Sequence, residues 1–342
     1  MGILVAIVVL GVLIFVHELG HFLVAKYFGI GVMEFSIGFG GLIYGKKVGD
    51  TFYSVRAIPL GGYVRLAGED RSIRTVEDLE KSEDIAEEEK EYLKRIGEDR
   101  WFYNRGFWQK FLVVLAGPVF NILFGYLVTV INYGVWGLFT FVDKPIVGAV
   151  VPGMPAERAG IKKGDRILKV DNVKIRSWSE LPIIVGEKNN KPLKLLIERI
   201  DENGRKKILH IKVKPELDKS DISAIVGEDK VPRYRIGILA SKEPRPIPFF
   251  DAFKYAGIAV YAVARNSIFG LIGLISGKVS LKVVGGPITI VSQTAQSAKS
   301  SISDLLEITL IISVMLAIMN LLPIPILDGG HILIFIIEAI KG

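Results

Sequence analysis

The sequence lacks cysteine altogether and contains only four histidines among its 342 residues. The absence of cysteine excludes disulfides and thiolate metal sites, so any zinc in this protein must be held by histidine and carboxylate. Charged residues make up 23% of the chain, half of the residues are hydrophobic, and the mean hydropathy is +0.40. This composition is too apolar for an ordinary soluble protein and predicts a membrane protein with soluble parts.

The chain also lacks a long Lys/Arg block interleaved with aromatic residues, although its net charge is +7 and its pI is about 9.3. We therefore expect no nucleic-acid partner. In a membrane protein such a basic excess favours contact with anionic lipid headgroups.

Three long apolar runs are predicted to cross the membrane: Ile3 to Phe28, Phe111 to about Val142, and Leu305 to Leu322. The first has no basic leader and no Ala-x-Ala-like cleavage site, so we interpret it as a retained span and not as a signal peptide. A fourth run, Phe253 to Ile275, is interrupted by polar and charged residues. It is predicted to be an amphipathic helix on the membrane surface, with a short span as the alternative.

The first apolar run contains His17, Glu18 and His21. Positions i and i+4 share one face of a helix, so both imidazoles can reach the same metal ion, and Glu18 can reach a water on it. Ionisable groups are costly inside a bilayer and are functional by default. The alternative is a chance match among polar side chains that pack together.

A catalytic zinc site normally has three protein ligands. Asp328 is the favoured third ligand, because Pro323, Pro325 and two glycines around it break the helix and free the backbone to direct a carboxylate inward. The alternative is an ordinary turn aspartate at the membrane surface. His331 lies just after Asp328, and His210 is predicted to be a surface residue of a soluble domain.

Outside the apolar runs, residues 33–68 alternate as a β-hairpin, and residues 145–240 show short β-prone runs between Gly and Pro turns. Residues 69–100 are dense in both signs of charge and are predicted to be a solvated helix or loop. Basic residues flank one side of the first two spans. The positive-inside rule then places 29–107 in the cytoplasm and 143–300 outside.

Several motifs resemble the site-2 protease family of intramembrane zinc metalloproteases, in particular its bacterial RseP-type (regulator of sigma-E protease) branch. They are His17-Glu18-x-x-His21, Gly38-Phe39-Gly40, Ala116-Gly117-Pro118-Val119-Phe120-Asn121, and Asn320-x-x-Pro323-x-Pro325-x-Leu327-Asp328-Gly329-Gly330. The segment Gly153 to Asp165 is similar to bacterial PDZ domains. The resemblance covers nearly the whole chain.

The resemblance implies a polytopic α-helical membrane protein with a membrane-associated β-hairpin or sheet and an inserted extracytoplasmic PDZ-like α/β domain. It implies Zn²⁺ on His17, His21 and Asp328, Glu18 as general base, and Asn320 as a substrate-backbone contact. For Asn320 a helix–helix hydrogen bond is the alternative. The expected location is the bacterial cytoplasmic (inner) membrane, multi-pass, with the active site toward the cytoplasm.

Seven segments are predicted. They are a first transmembrane helix (1–32), a membrane-associated β-hairpin region (33–68), a charged cytoplasmic segment (69–107), a second transmembrane helix (108–142), a PDZ-like domain (145–240), a linker with an amphipathic surface helix (241–300), and a third transmembrane helix followed by a C-terminal helix (301–342). RseP-type proteins often carry two PDZ domains, and the family usually continues into one more span after the stretch Glu338 to Gly342.

The expected activity is endoproteolysis of the transmembrane segments of single-pass membrane proteins, such as anti-sigma factors or remnant signal peptides. The hairpin is expected to pair with an extended substrate by β-addition. The PDZ-like domain is expected either to bind a peptide or C-terminal tail or to exclude bulky substrates. The alternatives are a non-catalytic PDZ-bearing membrane scaffold with a structural zinc, and a metal-free transporter-like bundle.

Overall fold

The computed structural model describes residues 2–187, 191–201, 204–217, 234–277 and 286–341, so parts of the predicted segments 145–240 and 241–300 lie outside the described residues. The chain divides into two compact units. The first comprises Met1–Asn132, Phe250–Ile268 and Gly285–Gly342, and the second comprises Tyr133–Phe249 and Phe269–Val284.

The described helices and strands follow each other in this order: α1 (Gly2–Tyr27), β1 (Val32–Val48), β2 (Thr51–Leu66), α2 (Val76–Lys81), α3 (Glu87–Ile96), α4 (Phe107–Trp136), β3 (Leu138–Phe141), β4 (Val147–Val150), α5 (Pro155–Arg158), β5 (Arg166–Val170), β6 (Val173–Lys174), α6 (Glu180–Glu187), β7 (Leu193–Ile200), β8 (Lys206–Val213), β9 (Glu216–Leu217), β10 (Tyr234–Arg235), β11 (Ile238–Ala240), β12 (Lys242–Arg245), α7 (Phe249–Ile275), α8 (Pro287–Ser300), α9 (Ile302–Asn320) and α10 (Asp328–Lys341).

Among the described residues, α1, α4, α7 and α9 are long and apolar enough to cross a membrane. The shortest of them, α9, has 19 residues and is therefore about 29 Å long, close to the thickness of the hydrocarbon core. These helices and the strands fit the predicted polytopic α-helical membrane protein. For the run that contains α7, the sequence predicts a surface helix and offers a membrane span as the alternative. The length of α7, 27 residues, fits the span.

The prediction of a helix over 108–142 is wrong at the C-terminal end. It ends at Trp136, and residues 138–141 form β3, which pairs with β12. The cause is Gly137, whose positive φ of 79° breaks the helix. A Cβ at this position would overlap the carbonyl oxygen of Arg245, so the close approach of β12 also requires glycine here.

In the first unit, β1 and β2 fold into a sheet of four extended segments. Residues 34–37 pair with 52–55 on one side and with 62–65 on the other, and residues 44–48 pair with 51–55 across the tight turn. The chain bends at Gly38, which has a φ of 87° and lies so close to Ile58 that a Cβ would be 2.7 Å from its carbonyl oxygen. Residues 62–66 and 44–48 are therefore the outer segments of this sheet.

Aromatic side chains attach the sheet to α1. The ring of Phe35 lies 4.6 Å from that of Phe22 and 5.7 Å from that of Phe15, measured between centroids. Such tilted aromatic pairs stabilise packing beyond the area they bury. The sheet is thus packed along the helix that carries His17 and His21.

The charged segment after the sheet is more ordered than a solvated loop. Thr75 caps α2 by accepting a hydrogen bond from the Asp78 amide, and the Asp78 side chain closes the capping box. The apolar sides of α2 and α3 pack around the fully buried Trp101, together with Leu79 and Leu93. The sequence did not predict this small core, because its few apolar residues are interspersed among many charged residues.

The second unit contains a four-stranded antiparallel sheet in the order β6-β5-β7-β8, with β4 paired to β11. Its inward side chains, including Ile167, Leu195 and Ile197, form one core with residues of α5 and α6. Arg199 donates two hydrogen bonds of 2.7 Å to the completely buried carboxylate of Asp165. Such bidentate pairing compensates a buried charge.

Candidate metal centre and active site

The site lies in a cavity of about 560 Å³ within the first unit. Each predicted site residue lines this cavity: His17, Glu18, His21, Asn320 and Asp328. Three separate elements contribute these residues, namely α1, the end of α9 and the start of α10. The structure therefore brings together side chains that are about 300 positions apart in the sequence.

The donor atoms of the predicted metal ligands converge. The Nε2 atoms of His17 and His21 are 3.1 Å apart. One carboxylate oxygen of Asp328 is 3.1 Å from His17 Nε2, and the other is 3.6 Å from His21 Nε2. The three residues offer ligand atoms within 4.8 Å of one another, which suits a single ion held by short metal–nitrogen and metal–oxygen bonds.

The hydrogen bonds around these atoms favour a cation between them. The Nδ1 atom of His21 lies 2.8 Å from the carbonyl oxygen of Val113, so Nδ1 must carry the proton and Nε2 has a free lone pair. The Oδ2 atom of Asp328 is buried with no hydrogen-bond partner among the described residues. Lone pairs that meet without a proton between them fit a bound metal ion, and a His₂–carboxylate set fits zinc.

The helix α4 is shaped to receive the two imidazoles. A Cβ at Gly117 would overlap His21 Nε2 and would lie 2.7 Å from His17 Cε1, so only glycine leaves room for the rings. Gly20 allows the same close approach from α1, since a Cβ there would be 2.5 Å from the carbonyl oxygen of Ala116. Pro118 lies inside α4 and has no N–H to donate to the carbonyl oxygen of Val114, four residues earlier, so the helix is disturbed at this turn.

Asp328 is held by the turn that precedes α10. A Cβ at Gly329 would overlap the carbonyl oxygens of Leu321 and Leu322, and one at Gly330 would overlap that of Ile324. These two glycines let the start of α10 pack directly on the backbone of the proline-containing turn. The carboxylate at the first position of the helix is fixed as a result.

Glu18 and Asn320 lie beside the ligand cluster. The Oε2 atom of Glu18 accepts a hydrogen bond of 3.1 Å from the backbone N–H of Val64, on the outer segment of the sheet. The Nδ2 atom of Asn320 lies 3.5 Å from His17 Nε2. The catalytic role of Glu18 and the substrate contact of Asn320 stay predictions, as do the ligand roles of the other three residues.

The remaining histidines are placed differently. His331 lines the cavity but does not belong to the group of three ligand atoms. His210 lies on β8 in the second unit. Neither takes the place of Asp328 in the cluster.

Two polar residues of the cavity were not identified from the sequence, Asn121 and Glu69. Glu69 lines the cavity although its side chain is exposed. Nothing distinguishes Glu69 from the many acidic residues that follow it in the sequence. Asn121 belongs to a family-like motif, but the sequence alone assigns it no role.

Comparison with known proteins identifies the family of the chain. The sequence model that describes peptidase family M50 matches residues 5–342 of the chain. The regulator of sigma-W protease RasP of Bacillus subtilis is 30% identical over 98% of this chain and 89% of its own length. The zinc metalloprotease RasP of Geobacillus kaustophilus is 31% identical over the same shares. These matches confirm the predicted family: the chain belongs to peptidase family M50, the site-2 protease family of zinc metalloproteases.

Proposed function

We propose that the protein is an intramembrane endopeptidase that cleaves the transmembrane segments of single-pass membrane proteins. The observation that carries this proposal is the convergence of His17, His21 and Asp328 beside Glu18. The cluster is built on a helix of membrane-spanning length, α1, and is lined by residues of two others, α4 and α9. His17, His21 and Asp328 would hold the zinc ion.

Bound zinc supplies a Lewis acid for the scissile carbonyl and an acidified water as nucleophile. Glu18 takes the proton from the attacking water and passes it to the leaving amide nitrogen. The Val64 amide orients the Glu18 carboxylate for this role by donating to Oε2. Asn320 holds the substrate backbone next to His17, which its position in the cavity supports.

The sheet offers a way to hold an unwound substrate. In the described pairing, the partners of residues 62–65 all lie in 34–37, on one side of that segment. The Val64 amide is instead directed to Glu18, so the other edge of the segment faces the cavity. A substrate strand that pairs with this edge by β-addition would place its peptide bonds beside the catalytic residues. A purely structural sheet is the alternative.

The substrate class follows from this binding mode. Pairing through the backbone selects for transmembrane segments that unwind easily, more than for particular side chains. The relative from Bacillus subtilis is named regulator of sigma-W protease, which supports anti-sigma factors as candidate substrates. Remnant signal peptides are a second candidate, because they too contain a single membrane-spanning segment.

For the second unit we propose a PDZ-like fold on the extracytoplasmic side of the bacterial inner membrane. Its antiparallel sheet and the helices α5 and α6 support the fold. Lys26, Arg105 and Lys110 support a cytoplasmic position for residues 69–107. The unit either binds a peptide tail or excludes substrates with bulky outer domains; we favour exclusion.

The orientation can be tested with single cysteines, since this sequence of 342 residues has none. Both Asp84 and Lys174 are exposed in the structure. In intact bacterial cells, a membrane-impermeant maleimide should label Lys174→Cys but should label Asp84→Cys only after the inner membrane is opened. The reverse labelling pattern would place the PDZ-like unit in the cytoplasm and the active site toward the outer face of the membrane.

Metal removal tests the proposed activity itself. The purified protein is reconstituted in liposomes with a single-pass substrate, and cleavage is followed by mass spectrometry. We expect a cut inside the transmembrane segment, loss of cleavage after chelation, and recovery on adding about one equivalent of Zn²⁺. Cleavage that survives complete removal of zinc would rule out the mechanism, and one tightly bound zinc without any cleavage would favour the non-catalytic scaffold.

A further inference from the structure

Asn121 is a completely buried amide that faces a predicted metal ligand. It lies on α4, and its Nδ2 atom is 3.4 Å from Nδ1 of His17. Its Oδ1 atom is buried without a hydrogen-bond partner among the described residues. An unpartnered buried amide oxygen is costly, so this side chain requires an explanation.

The chemistry of His17 decides which amide atom faces it. A neutral imidazole has one N–H, so His17 can offer the Nε2 lone pair to zinc only if Nδ1 carries the proton. The atom opposite Nδ1 must then be an acceptor. The oxygen and nitrogen of an asparagine amide are exchanged by a half-turn of the side chain and are assigned from their hydrogen bonds. A half-turn of Asn121 brings Oδ1 to His17 as an acceptor and moves Nδ2 to the position that Oδ1 occupied.

We propose that Asn121 is a positioning residue whose Oδ1 accepts the Nδ1–H of His17 and so directs Nε2 toward the zinc ion. The proposal rests on the ligand role of His17 in the proposed function. It gives His17 the kind of partner that His21 already has in the Val113 carbonyl. A single helix, α4, then orients both imidazoles.

The backbone of Asn121 is itself fixed. The Ser313 hydroxyl of α9 donates a hydrogen bond of 2.6 Å to the Asn121 carbonyl oxygen. The backbone position of Asn121 therefore depends on the packing of α4 against α9 and not on α1 alone. This contact fixes the backbone from which the Asn121 side chain reaches the imidazole of His17.

Two substitutions separate this role from simple packing. Asn121→Leu keeps the approximate size of the side chain but removes the acceptor, and we expect zinc affinity to fall 10- to 100-fold, the range typical of such partners. Asn121→Asp keeps an acceptor oxygen, and its zinc affinity should stay within about threefold of the wild type. Affinity is measured by competition with a chelating dye.

The matched control is Asn132→Leu on the same helix. Asn132 is also buried, but it exchanges hydrogen bonds with Ser303 instead of contacting a histidine. We expect this variant to melt at a lower temperature while its zinc affinity is unchanged. A loss of affinity in Asn132→Leu equal to that in Asn121→Leu would reduce the effect to packing and overturn the proposal.

Nitrogen NMR of ¹⁵N-labelled histidine gives a readout that does not depend on activity. The chain has only four histidines, so the His17 signals can be assigned by substitution. In the zinc-loaded wild type we expect a protonated Nδ1 on His17, and in Asn121→Leu an altered signal from that nitrogen. Unchanged zinc affinity and an unchanged Nδ1 signal in Asn121→Leu would overturn the inference while leaving the proposed endopeptidase activity intact.

Discussion

Glu18→Gln should lower kcat/KM for a transmembrane substrate by about 10²- to 10⁴-fold, the usual contribution of a general base, while leaving one zinc per chain. The amide oxygen of glutamine can still accept the hydrogen bond that Val64 donates to Glu18. The variant therefore keeps the local geometry and loses only the carboxylate that takes the proton. Zinc content by elemental analysis and cleavage in liposomes check the two halves of the prediction.

The matched control is Glu69→Gln, which removes another carboxylate from the same cavity. Because Glu69 is not one of the three residues that offer ligand atoms in the described structure, the control should change kcat/KM by less than about tenfold, below the range expected for a general base. If Glu18→Gln cleaves at the wild-type rate, Glu18 is not the base. Equal losses in both variants would mean that the charge of the cavity, and not proton transfer at Glu18, controls the rate.

Asp328→Ala should weaken zinc binding by more than 100-fold, beyond the range of residues that only support a ligand. A factor of 100 corresponds to about 2.7 kcal/mol of binding free energy. The substitution leaves two histidines, and a catalytic zinc site normally needs three protein ligands. Zinc affinity is measured by dye competition, with thermal unfolding in detergent to verify that the helices remain assembled.

His331→Ala serves as the control for Asp328→Ala. Both residues lie on α10 and line the cavity, but only Asp328 contributes a ligand atom to the cluster. The control should retain zinc affinity within about threefold, less than the loss typical of residues that support a ligand. A reversed result, with affinity lost in His331→Ala and kept in Asp328→Ala, would make His331 the third ligand.

The sequence was most informative where structure depends on local spacing. His17 and His21 share a helix face because they are four positions apart, and the alternation around Gly45 to Asp50 is sufficient to predict a hairpin. Asp328 is predicted as a ligand because the prolines and glycines around it in the sequence indicate a helix break. These features need no knowledge of which elements pack together.

Features that depend on pairing between distant segments were missed. The strand β3 forms by pairing with β12, which lies about a hundred residues later in the chain. The sequence-based prediction therefore continued the second transmembrane helix too far, into the residues of β3. The contact between Asn121 and His17 depends on how α1 packs on α4, and no spacing within either helix predicts it. In α7, isolated polar residues argued for a surface helix, although its length and hydropathy also suit a span.

The proposed zinc site is tested by locating zinc in crystals of the wild-type protein, from anomalous scattering measured on both sides of the zinc absorption edge. We expect one peak per chain, about 2.0–2.2 Å from a nitrogen of His17, a nitrogen of His21 and a carboxylate oxygen of Asp328. A zinc peak bound elsewhere, or protein that cleaves its substrate while no zinc peak lies between these three residues, would contradict it.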